Sequence, residues 1–253
     1  MKLDTKRPAY VVGFAIVTSV AFTACIMGVQ VVAQGLIERN ERLMGDKALV
    51  DIFGLGDVRT MSAREIEETV RRRIEFGSVV DIPTGRKMEL IRAYNMDSEL
   101  SAAHRPEDLV GYAFPISGIG FWDRISGYLA VTPDFRTILG VAFLRLAETP
   151  GLGGEIVKPH FRDQFRPDVR RRTGLPPLDA SPPAAGGKFL YVGGEKPAGP
   201  GDARFGRRVD AITGATGTST ALERFLNADL AAFHRAAEAA GLIVSSPATR
   251  APR

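Results

Sequence analysis

YVVGFAIVTSVAFTACIMGVQVVAQ, running from Tyr10 to Gln34, contains no charged residue. A helix needs about 20 mainly apolar residues to cross the hydrocarbon core of a bilayer, and this run exceeds that. Lys2, Lys6 and Arg7 precede it, while Glu38, Arg39, Glu41 and Arg42 follow with no net charge. The positive-inside rule then places the N-terminus in the cytoplasm and everything after Gln34 across the membrane. A cleaved signal peptide would have a shorter apolar core ending at a small-residue site. Here the apolar character continues past Cys25 through Ile26, Met27, Val29 and Val32. A lipoprotein site at Cys25 is disfavoured, because Phe22 is bulky and cleavage would leave an apolar mature end. The reading is an uncleaved, single-pass anchor in the inner (cytoplasmic) membrane, with an extracytoplasmic C-terminal domain.

Outward from the anchor, 253 residues leave room for one fair-sized domain, or for two small ones. Hydrophobic residues at 45% and charged residues at 25% describe a chain with a packed core. The net charge of +4 comes from the N-terminus and from the runs Arg71–Arg73 and Arg170–Arg172. Such runs are read as solvated faces; no aromatic residues interleave them as in a nucleic-acid groove. A single cysteine excludes an intrachain disulfide or a cysteine metal cage, and His104, His160 and His234 lack metal-ligand spacing.

Leu36 to Phe53 reads as a helical continuation ended by Gly54 and Gly56. Ser62-Ala-Arg-Glu65 has the capping-box pattern, with Ile66, Val70 and Ile74 near helical spacing, which predicts a helix from Ser62 to Phe76. Strands are expected at Lys87 to Tyr94, Val110 to Ile116, Gly127 to Val131, Ile138 to Leu146 and within Gly186 to Gly194. A polar loop holds His104, Arg105 and Pro106, and Pro167 to Gly187 reads as an irregular surface loop. Thr220-Ala-Leu-Glu223 repeats the capping box and opens a last helix on the stripe Leu222, Phe225, Leu226, Leu230 and Phe233, with Gly241 as its C-terminal stop. Without regular βαβ alternation the class is α+β. The expected division is 1–9 N-terminus, 10–34 transmembrane helix, 35–80 helical connector, 81–245 soluble domain and 246–253 tail.

Chemistry concentrates before that last helix, in Asp210-Ala211-Ile212-Thr213-Gly214-Ala215-Thr216-Gly217-Thr218-Ser219-Thr220. Small residues allow close approach to the backbone. Hydroxyls cluster, and a helix N-terminus offers free N–H groups and partial positive charge to a phosphate. On its own the segment is equally a Ser/Thr-rich capping turn. It lacks the lysine of a P-loop and the glycine spacing of a dinucleotide fingerprint. A second motif, Glu148-Thr149-Pro150-Gly151-Leu152-Gly153-Gly154, reads on its own as a tight turn.

Together the two motifs resemble the FMN-binding domain family, which includes the C subunit of the sodium-translocating NADH:quinone reductase and the G subunit of the Rnf complex. Asp210-x-x-Thr213-Gly214-Ala215-Thr216 is similar to the flavinylation motif. The resemblance implies FMN esterified through its phosphate to Thr216 by a flavin transferase, with Asp210 in the recognised motif. It also implies flavin contacts from Thr213, Gly214 and Ala215 and from Glu148, Thr149, Gly151, Leu152 and Gly153. Gly118-Ile-Gly-Phe-Trp122, Gly127-Tyr-Leu-Ala130 and the overall length resemble the sodium-pump member more than the shorter Rnf one. Gly217, where a larger residue is expected, and Ala147 depart from the family pattern; Trp122 is read as a packing aromatic outside the site. No acid–base pair or nucleophilic triad is evident. The implied role is electron transfer among other membrane subunits of an NADH:quinone oxidoreductase. The alternatives are a free-standing membrane-tethered flavin carrier and a flavin-less anion-binding module.

Overall fold

The computed structural model describes residues 8–95 and 106–243. The N-terminal stretch 1–7, the loop residues His104 and Arg105, and the tail 246–253 lie outside the described residues. Two units emerge, Met1–Met44 and Gly45–Arg253.

The first unit holds most of helix α1 (Pro8–Phe53), which is long and apolar enough to cross a membrane. Val11, Phe14, Val17, Phe22, Val29 and Val32 are all exposed on it. An exposed apolar surface all round a helix is a pattern that lipid satisfies and water does not.

In the second unit, strands β1 (Ile74–Asp81), β2 (Arg86–Tyr94), β3 (Leu109–Ile119), β4 (Arg124–Val131) and β5 (Ile138–Arg145) form one antiparallel sheet in sequential order. Both faces are covered, which accounts for nearly continuous apolar runs in place of simple alternation. On one face the last turns of α1 bury Leu49, Val50, Ile52 and Phe53, joined by Ile66 and Val70 of α2 (Ala63–Arg73). A Cβ on Gly140 of β5 would stand 3.3 Å from the Ile52 carbonyl, so the glycine admits the helix backbone. Asp51 on α1 pairs with Arg162 and Arg166, each at 3.2 Å.

Helix α5 (Thr216–Ala239) covers the other face. Phe233 stacks on Phe114 of β3 with centroids 3.9 Å apart and also touches Phe135. Phe135 has φ +55, an unfavourable value for a side-chain-bearing residue, at the tip of the β4–β5 hairpin. Its ring stacks on Tyr112 at 4.9 Å and is almost fully buried, which offsets the backbone cost. Asp229 of α5 is buried; it accepts the Ser117 N–H at 2.8 Å and faces Arg86 at 3.2 Å. Buried Asp81 of β1 accepts two bonds from Arg235, at 3.1 and 2.9 Å. The sheet thus grips the second half of α5 by both packing and charge.

Between β5 and α5 lie α3 (Pro159–Arg162), α4 (Pro167–Arg172) and the two-residue parallel pair β6 (Tyr191–Val192) and β7 (Arg208–Val209).

Several expectations need correction. The Ser62 capping box is present, but its helix stops at Arg73 and Ile74 begins the edge strand β1, so the last part of the helical connector belongs to the sheet. Residues 167–172 are helical, not loop. Arg170, expected in solvent, is buried and donates to the carbonyls of Gln164, Pro176 and Arg208, and burial pulls its pKa down. The strand expected in 186–194 shrinks to two residues. Finally, α5 begins at Thr216, and Glu223 is drawn to the Val192 N–H at 2.8 Å and to Lys188 in place of capping Thr220.

Candidate functional site

Three loops meet at the N-terminal end of α5. The first joins β3 to β4 by a tight turn in which the Gly120 N–H donates to the Asp123 carbonyl at 2.8 Å. Gly118 lets the end of β3 lie against Phe225, since a Cβ there would overlap its ring. The second follows β5: Leu152 and Gly154 both donate to the Thr149 carbonyl, at 3.1 and 2.9 Å, and Gly151 takes φ +76. The third turns at Gly214, φ +78, where the Ala215 N–H donates to the Ile212 carbonyl at 3.1 Å.

Glu148 binds these loops together. Its side chain is buried, with Oε1 accepting the N–H groups of Phe121 at 2.7 Å and Trp122 at 3.1 Å. Its Oε2 accepts the Thr218 hydroxyl at 2.7 Å. Two glycines make room for the carboxylate: a Cβ on Gly120 would strike Oε1, and one on Gly153 would strike Oε2 and Thr218. Beside it the Trp122 indole N–H donates to the Thr149 hydroxyl at 3.0 Å.

A cavity of about 170 Å³ opens among these loops. Phe121 and Trp122 line it from the first loop, Glu148, Thr149, Leu152 and Gly153 from the second, and Gly214, Ala215, Gly217 and Thr218 from the third. Its rim is apolar and open to solvent: Phe121 is 62%, Trp122 68% and Leu152 43% exposed. Among the described residues, no lysine or arginine lines it.

The first turn of α5 borders this cavity. Its N-cap residue is Ala215, which contributes no capping side chain, and the first intrahelical bond runs from the Ser219 N–H to the Ala215 carbonyl at 3.0 Å. The N–H groups of Thr216, Gly217 and Thr218 therefore precede the hydrogen-bonded ladder. Thr216 is exposed, and among the described residues its hydroxyl has no hydrogen-bond partner. Ser219 Oγ is buried and likewise without a partner.

This arrangement fits a flavin mononucleotide by its donor set and its walls. Unused amides at a helix start suit a phosphate. A shallow cavity with exposed aromatic and aliphatic walls suits one face of a planar ring. With no cationic side chain in the described lining, a phosphate there would rely on the helix end alone.

A family model described as FMN-binding domain matches residues 120–231, from the β3–β4 turn into the second half of α5. That stretch is similar to the FMN-binding domain family. The FMN-binding domain match starts at the glycine that cradles Glu148. Relatives named as the C subunit of Na(+)-translocating NADH-quinone reductase include one from Chlamydia pneumoniae, 52% identical over 52 residues. That alignment covers 21% of this chain and 16% of the relative's length. The Neisseria meningitidis protein of the same name is 27% identical over 243 residues, covering 84% of each. The crystal structure of the like-named protein from Parabacteroides distasonis has a TM-score of 0.59 at 22% identity, over 80% of this chain and 95% of that one. That likeness shows the shared fold.

Of the residues expected at the site, Glu148, Thr149, Leu152, Gly153, Gly214 and Ala215 share the cavity wall. Thr216 lies between two lining residues, Ala215 and Gly217, while Thr213 and Gly151 are outside the lining and hold the turns. Asp210 is exposed; it pairs with Arg208 at 2.6 Å, and its N–H donates to Gln164 at 2.6 Å. The Glu148 carboxylate, a candidate flavin contact, makes its hydrogen bonds to the protein while lining the cavity. Phe121, Trp122, Gly217 and Thr218 also line the cavity, beyond the residues that the motifs point to. The available signal was Gly118-x-Gly120-Phe121-Trp122, whose glycines the close contacts require. Gly217 is small because Phe121 occupies the space a side chain would need.

Proposed function

We propose that this chain is a membrane-anchored flavoprotein that carries FMN as a phosphoester on Thr216. We further propose that it passes electrons within a sodium-translocating NADH:quinone oxidoreductase complex. The observation that carries the reading is the exposed Thr216 hydroxyl, without a hydrogen-bond partner among the described residues, on the open first turn of α5 beside the cavity of an FMN-binding domain. When bound, FMN supplies one-electron chemistry that protein side chains lack.

The chain's own residues hold and shield. The amides of residues 216–218 and the positive helix end favour the phosphate. Trp122 and Leu152 would exclude water from part of the ring, while Glu148 and the glycines keep the three loops in register. Asp210, exposed six positions before Thr216, is available to a flavin transferase. Helix α1 would tether the domain on the extracytoplasmic side, with the basic N-terminus in the cytoplasm. Names and coverage of the relatives support the complex; its other subunits would bind the substrates.

Full-length protein coexpressed with a flavin transferase should fluoresce under ultraviolet light after denaturing electrophoresis. Thr216→Ala and Thr216→Val should lose that band. A dark wild-type band overturns the covalent claim. Purification from native membranes with no other reductase subunit overturns the assignment to a complex.

A further inference from the structure

We infer that the negative charge of Glu148 lowers the reduction potential of the flavin bound beside it, a role that rests on the FMN reading above. Three donors reach this buried carboxylate, and all are neutral: the Phe121 and Trp122 amides and the Thr218 hydroxyl. Among the described residues no cation lines the cavity that Glu148 shares with Trp122, Leu152 and Gly214, so nothing in that lining cancels the charge. At 8% exposure, water screens it weakly, and its field extends into the cavity.

Hydrogen bonding alone does not require a glutamate here. A glutamine could accept both amide N–H groups through Oε1 and donate its NH₂ to the Thr218 oxygen, because a hydroxyl both gives and accepts. What the glutamate adds is charge. Each electron entering the flavin from a reductant brings one negative charge to the ring unless a proton follows. A fixed carboxylate nearby opposes that step. Glu148 is therefore a tuning and positioning residue, not a catalytic one.

The test is a redox titration of full-length holoprotein in detergent, with dithionite as reductant and flavin absorbance as the readout. It compares wild type, Glu148→Gln and Thr218→Val at fixed pH. Glu148→Gln should favour one-electron reduction at least tenfold, a shift of about 59 mV to more positive potential. Thr218→Val removes one of the three dipoles that offset the charge and should shift the potential the other way. Mere loosening of the site would move both variants in one direction, towards free FMN, and would overturn the inference. So would a flavin-loaded Glu148→Gln with the wild-type potential. If Glu148→Gln does not fold, Thr218→Val decides alone: an unchanged or raised potential overturns the inference. A colourless wild type defeats the FMN reading itself, whereas a coloured wild type beside an unshifted Glu148→Gln defeats only this inference.

Discussion

The two halves of α5 are built on opposite principles. From Leu222 to Ala237 the helix is buried on one side, stacked through Phe233, and clamped to the sheet by Asp229 and by the Arg235–Asp81 pair. Its first turn has no capping side chain, an exposed threonine and a buried serine oxygen without a partner. A helix start left this open is normally a cost, since a good cap is worth about 1 kcal/mol. On the proposed reading, the firmly held second half supplies the stability that would let the first turn keep its amides and hydroxyl for a ligand. Stability and the proposed ligand site would thus lie at opposite ends of one helix.

The largest stability loss should follow Phe233→Ala, at about 3–5 kcal/mol, read from denaturant unfolding. If it cost no more than an exposed substitution, the division of labour would be wrong. Gly153→Ala forces a methyl group onto Glu148 and Thr218. Overpacking of this kind costs about 1–3 kcal/mol, and flavin loading should fall sharply with it. Normal loading would contradict the glycine cradle.

Acid stability separates the two clamps. Arg235 and Thr84 hold the Asp81 carboxyl below the usual range, so its contribution is present above the ordinary aspartate pKa and is lost as pH falls through the lowered value. Burial pushes Asp229 up despite the Ser117 N–H and Arg86, so its contribution is complete at low pH and lost as pH rises through the raised value. Asp81→Asn should flatten the acid limb of a Tm–pH profile, and Asp229→Asn the limb just above it. Unchanged profiles would contradict both assignments.

The smallest stability effect belongs to Thr216→Val, within about 0.5 kcal/mol because the position is exposed, with complete loss of attached flavin. A variant that lost stability on the scale of Phe233→Ala would erase the contrast between the halves.

Much of this was legible in the sequence, and the failures have causes. The strands from Arg86 to Arg145 announced themselves by β-branched and aromatic residues between turn signals. β1 was hidden because Ile66, Val70 and Ile74 continue a helical spacing that the backbone abandons at Ile74. The true start of α5 was masked by a second capping-box pattern, whose Glu223 serves β6 and Lys188 instead. Arg170 looked like surface charge because its burial partners, carbonyls from three separate positions, are invisible to local pattern. At the site, both motifs were readable as glycine-rich turns, and the family resemblance singled out Thr216. The Phe121–Trp122 wall was missed because its position depends on Glu148, 27 residues further along the chain.

The central claim concerns a covalent bond to one side chain, and intact mass spectrometry of the native full-length protein tests it most directly. The account predicts a mass above that of the polypeptide by one FMN less one water, with the increment on the peptide containing Thr216 and absent from Thr216→Val. A native protein whose mass equals that of its amino acids, or an increment that survives Thr216→Val, would contradict it.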